Sequence, residues 1–124
     1  MQYKRTEYFR YAFGEPLAAE FRIIVENGTG AESSPGDCEL MDLSPGGMKF
    51  FAAYDIPLGG EPVKLHIKFT LQSVPIDVQG TIKWKKPSKN GQLYGFDFEK
   101  DAALEQLIVD ELKLRRHAEI EDGK

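Results

Sequence analysis

The sequence predicts a small all-β protein, a six-stranded antiparallel β-barrel followed by one C-terminal α-helix. Short runs in which apolar and polar residues alternate carry this reading, as do the Gly, Pro, Ser and Asn clusters that separate the runs. Helical spacing is confined to the residues after Asp101. With 124 residues, 41% hydrophobic and 29% charged, the chain has material for one domain with a modest core. No internal repeat or low-complexity segment interrupts it.

In the first strand, Leu17, Ala19, Phe21, Ile23 and Val25 alternate with Ala18, Glu20 and Arg22, the period of a half-buried strand. Asn27–Gly36 reads as a loop. A second strand is expected from Asp37 to about Leu43 and a third from Met48 to about Tyr54, joined by Ser-Pro-Gly-Gly. Val63, Leu65, Ile67, Phe69 and Leu71 give a fourth strand an apolar face, with Lys64, His66 and Lys68 on the other. The fifth carries Ile76, Val78, Gly80, Ile82 and Trp84 in one register, which puts Trp84 on the inward face as a plug at the barrel mouth; Gly80 would relieve crowding at a bend. After a loop from Lys86 to Gln92, Tyr94, Phe96 and Phe98 supply the buried face of the sixth. Asp101 caps a helix in which Leu104, Leu107, Ile108 and Leu112 recur at helical spacing. Residues 1–14 are expected as a basic N-terminal arm, 15–117 as the barrel with its helix, and 118–124 as a polar tail. Closing the sheet removes the exposed edges that six sequential strands would otherwise present.

The net charge of −4 argues against a DNA or RNA binder, because such binding depends on neutralising phosphates. Residues 99–124 hold eight acids against five Lys or Arg, a net −3 that leaves −1 for the remainder. The first ten residues contain Lys4, Arg5 and Arg10 with Glu7 as their one acid, a place where a small anion could be held. Cys38 has no partner for an internal disulfide, and no His or Cys cluster makes a metal site. Met1–Arg10 lacks an apolar leader and no apolar stretch is long enough for a bilayer, so a cytoplasmic location without membrane insertion is expected.

Two segments carry the chemistry. In Asp42-Leu43-Ser44-Pro45-Gly46-Gly47 a carboxylate, a hydroxyl and two glycines crowd one inter-strand turn. Asp and Ser bond local backbone donors and glycines permit positive φ, which suits a plain hairpin. The same groups could offer hydrogen bonds to a flat heterocycle, with Gly46 and Gly47 letting it approach the backbone; composition does not choose. In Lys4-Arg5-Thr6-Glu7-Tyr8-Phe9-Arg10, a solvated tail is one reading. The other uses the guanidinium fork, which matches a phosphate or the O6 and N7 acceptors of guanine.

Together these segments resemble the PilZ family, whose pattern is Arg-x-x-x-Arg before the first strand and Asp/Asn-x-Ser-x-x-Gly some thirty residues later. Asp42, Ser44 and Gly47 match the second motif, and the resemblance spans about residues 4–112, including Gly-Glu-Pro-Leu before the first strand and Tyr94-Gly-Phe-Asp-Phe near the end. The first motif departs from the pattern: four residues before Arg10 stands Thr6, and the nearest arginine is Arg5.

The resemblance implies a non-enzymatic bacterial receptor for cyclic di-GMP, with no separate cofactor, acting in motility or biofilm control. Its expected ligand-binding residues here are Arg5, Arg10, Asp42, Ser44, Gly46 and Gly47, with Lys4 and Trp84 as auxiliaries. Binding would order the N-terminal arm against the barrel and alter a surface for an unidentified protein target. The alternative is a degenerate PilZ domain that binds no nucleotide and serves as a protein-interaction module, which the Thr6 departure favours.

Overall fold

The computed structural model describes residues 10–24, 33–60 and 62–122. Its strands are β1 (Tyr11–Ile23), β2 (Gly36–Ser44), β3 (Gly47–Ala52), β4 (Lys64–Thr70), β5 (Pro75–Ser88) and β6 (Gly91–Phe98), followed by helix α1 (Ala102–Asp122). They form a closed barrel in the order β1-β2-β3-β6-β5-β4, every ladder antiparallel. The predicted fold class is the observed one.

The alternating residues fill the interior. Phe50 stacks on Tyr94 with ring centroids 4.9 Å apart and meets Phe96 edge-on at 6.0 Å, an arrangement that suits the aromatic quadrupole. Leu40, Leu43, Leu65, Ile67, Ile76 and Val78 close around them. Tyr94 keeps its polar end satisfied: its hydroxyl accepts from Ile56 N at 2.8 Å and donates to Tyr54 O at 2.8 Å. Cys38 is buried among these apolar groups, and burial pushes its thiol up to about 12. On the outside, His66 lies 3.5 Å from the Asp77 carboxylate.

Three boundaries differ from the sequence reading. β1 begins at Tyr11, inside the segment expected as an arm, because Tyr11 and Phe13 are buried; a register shift between Ala12 and Leu17 breaks the alternation there. The expected loop at 86–92 is instead the end of a long β5–β6 hairpin, closed by Lys89-Asn90 with Asn90 at φ 69°. Its residues are polar because the ribbon is mostly exposed, so no hydrophobic period marks it. The helix continues to Asp122, through most of the expected polar tail.

That helix starts as predicted, with Asp101 Oδ1 accepting from Leu104 N at 3.1 Å. Ile108 and Leu112 are buried against the barrel. The buried Glu111 accepts from Gln72 N at 3.1 Å, from Ser73 N at 2.8 Å and from the Ser73 hydroxyl, and so ties the helix to the β4–β5 turn. Arg115 donates to Leu71 O at 2.7 Å and lies over the Phe13 ring, and Arg116 lies over Tyr11, whose hydroxyl bonds Glu119.

Burial alone would raise the Glu111 pKa, but the hydrogen bonds from Ser73, Val74 and Gln72 outweigh it and hold the carboxyl below its ordinary 4.5. A depressed folded-state pKa contributes stability that is complete above the unfolded value and is lost as pH falls through the folded one. Glu111→Gln is therefore expected to lower stability by about 1–3 kcal/mol at neutral pH. In urea unfolding across pH, the gap to wild type is complete above the ordinary carboxyl value of 4.5 and narrows as pH falls below it.

Candidate functional site

A strand exposes alternate residues, so a side chain two positions after an inward one should also face inward. Two residues break that rule in the same direction. Asp42 follows inward Leu40 by two, and Trp84 follows inward Ile82 by two; both stand on the outer face. In each case the ladder register shifts by one residue, at Leu40/Asp42 between β2 and β3 and at Ile82/Trp84 between β5 and β6. Such bulges re-aim side chains. The expectation that Trp84 plugs the barrel mouth is thereby corrected: it is 42% exposed, because the extra residue, Lys83, reverses the alternation.

The pairings then set a row across the outer face, Ala12 opposite Asp42, Asp42 opposite Lys49, Lys49 opposite Gly95, and Gly95 opposite Trp84. A Cβ on Gly95 would lie 2.1 Å from Trp84 Nε1, so the indole is seated directly on the Gly95 backbone.

Arg10 joins this row from just before β1. Its Nη1 donates to Asp42 Oδ1 at 2.6 Å, while the Lys49 N–H donates to the same oxygen at 3.1 Å. The Lys49 ammonium lies 3.7 Å from Asp42 Oδ2. The Asp42 carboxylate is 12% exposed, whereas the Arg10 and Lys49 side chains are 48% and 42% exposed, so both cations keep an open side.

The Ser44–Gly47 turn has a local function as well as a position. Ser44 Oγ donates to Gly47 O at 3.2 Å and Gly46 O accepts from Phe98 N at 2.9 Å. Gly47 is required for space rather than for positive φ: a Cβ there would lie 2.5 Å from Phe96 O. Both glycines therefore hold β2–β3 close to β6.

Two adjoining hollows flank Arg10. One, of about 370 Å³, is lined by Arg10, Ser44, Gly46, Gly47 and Asp97 together with residues 98–100 and Glu105. The other, of about 290 Å³, is bounded by Arg10, Asp42, Lys49, Lys83, Trp84 and Asp97 among others. The structure thus brings together Arg10, Asp42, Ser44, Gly46, Gly47 and Trp84, while Lys4 and Arg5 lie outside the described residues.

Sequence reasoning missed Lys49 and Asp97, which border these hollows. The outward direction of Lys49 was legible, since it sits between inward Met48 and Phe50, but its pairing with Asp42 was not; Lys83 is the extra residue of the bulge. Among the described residues no group of His, Cys, Asp or Glu could hold a metal, and no helix is long and apolar enough to cross a membrane.

These features define a six-stranded antiparallel barrel with an arginine–carboxylate pair and a Gly-rich turn beside outward-facing hollows. The chain belongs to the PilZ domain family, whose model matches residues 4–114. Among solved structures it is similar to the PilZ domain with c-di-GMP of YcgR from Escherichia coli, with a TM-score of 0.62 and 19% identity over 99% of both chains. No curated protein sequence matches it significantly.

The seat of Trp84 makes a testable point. Gly95→Ala is expected to evict the indole into solvent, and because Trp84 is the single tryptophan, its fluorescence emission should shift to the red. The thermal midpoint should fall less than in Gly47→Ala, where the obstacle is a backbone carbonyl rather than a surface ring.

Proposed function

We propose that this PilZ domain is a non-enzymatic receptor for cyclic di-GMP, bound across the outer face around Arg10. The observation that carries the proposal is the 2.6 Å Arg10–Asp42 ion pair, which joins the arginine segment to the Asp-x-Ser-x-x-Gly turn 32 residues away. Asp42 holds the guanidinium in place and leaves its remaining donors for a phosphate or the O6 and N7 edge of guanine. The neighbouring indole of Trp84 offers a flat apolar surface for a base, and the hollow bounded by Gly46 and Gly47 has no side chain of theirs to obstruct a ligand.

In this reading Arg5 supplies a contact in place of the arginine that Thr6 replaces, with Lys4 as a weaker point charge. Ligand capture fixes the N-terminal arm against the barrel and changes the surface shown to a protein target, in a cytoplasmic pathway controlling motility or biofilm formation. The ligand named for the YcgR structure agrees with this assignment. The competing reading, a nucleotide-free interaction module, draws on Thr6.

Isothermal titration of cyclic di-GMP, with GMP as control, separates the two. Saturable binding by wild type is expected, weakened roughly a hundred-fold or more by Arg10→Ala and by Asp42→Ala. A folded wild-type chain that gives no saturable heat would remove the receptor reading and favour the module.

A further inference from the structure

A cyclic dinucleotide carries two phosphodiester charges, and Arg10 supplies one cation of known position. Resting on the reading that this site takes such a ligand, we infer that Lys49 is a further phosphate-binding cation, presented from β3 beside Arg10 and additional to the contact assigned to Arg5.

Three observations point to Lys49. It occupies the middle of the outer row, between Asp42 and Gly95, with Trp84 on the far side of Gly95. Its ammonium lies 3.7 Å from Asp42 Oδ2 while Arg10 lies 2.6 Å from Oδ1, so two cations straddle one carboxylate. One positive charge at that spot is left unbalanced by Asp42, and an arriving anion also relieves the repulsion between the two cations. Both open sides face the 290 Å³ hollow that Trp84 borders.

Lys83 borders the same hollow and is the natural competitor. Its ammonium pairs with a carboxylate of its own, Asp97 Oδ2 at 3.8 Å, and its side chain is 57% exposed. Its charge is thus balanced one to one and more strongly screened by solvent. Lysine is a point charge without the guanidinium fork, so Lys49 contacts a phosphate and leaves recognition of the guanine edge to Arg10.

The test is titration of cyclic di-GMP into wild type, Lys49→Met, Lys49→Arg and Lys83→Met at several salt concentrations, with circular dichroism to verify folding. Lys49→Met is expected to bind roughly ten-fold or more weakly and with a shallower salt dependence. Lys49→Arg should stay near wild type, and Lys83→Met within about three-fold of it. Unchanged affinity in Lys49→Met would overturn the assignment. So would weaker binding with an unchanged salt dependence, since Lys49 would then act only by steadying Asp42. A wild-type chain that does not bind overturns the receptor reading itself and this assignment with it, a result distinct from a loss confined to Lys49→Met.

Discussion

The β1–β4 ladder, Glu20 against Lys68 through Ile23 against Leu65, turns an open sheet into a ring. The position of every other group is constrained by that closure. A closed barrel has no edge at which a strand can slide, so its registers are locked by one another and by the aromatic cluster of Phe50, Tyr94 and Phe96 inside. Such a frame can move a side chain from core to surface only by inserting a residue. The bulges before Asp42 and Trp84 do this at two separate ladders, and they turn both residues toward the same outer hollow.

Much of the fold was legible because its strands obey a simple period. Leu65, Ile67 and Phe69 could be read off β4, and Ile76, Val78 and Ile82 off β5, because a half-buried strand has to alternate. The helix start was legible because Asp101 satisfies an otherwise unpaired N–H. What escaped lay where periodicity carries no information. An inserted residue leaves no mark on composition, so Trp84 read as inward, and an exposed ribbon such as Lys85–Gln92 has no apolar face to count.

The candidate site divides in the same way. Asp42, Ser44 and Gly47 stood out because a carboxylate, a hydroxyl and glycines within one turn are chemically conspicuous, and Arg10 because it precedes the first strand beside other cations. Lys49 was inconspicuous: a lysine on an outer strand position is ordinary, and its significance comes from sharing Asp42 with Arg10 across a ladder. The spacing of the motif also hides a structural function of its last glycine, whose missing side chain admits the Phe96 carbonyl. Barrel packing by itself therefore requires a glycine at position 47.

The contact between Tyr11 and Glu119 joins residues 108 positions apart, so the chain passes into the barrel and out of the helix at neighbouring points. Two strands of polypeptide leaving a fold side by side make a convenient splice: such a unit can be set into a loop of another protein without prising the host apart. Arg10, the residue before Tyr11, is therefore linked to the helix end by a route outside the core, through the Tyr11–Glu119 and Tyr11–Arg116 contacts.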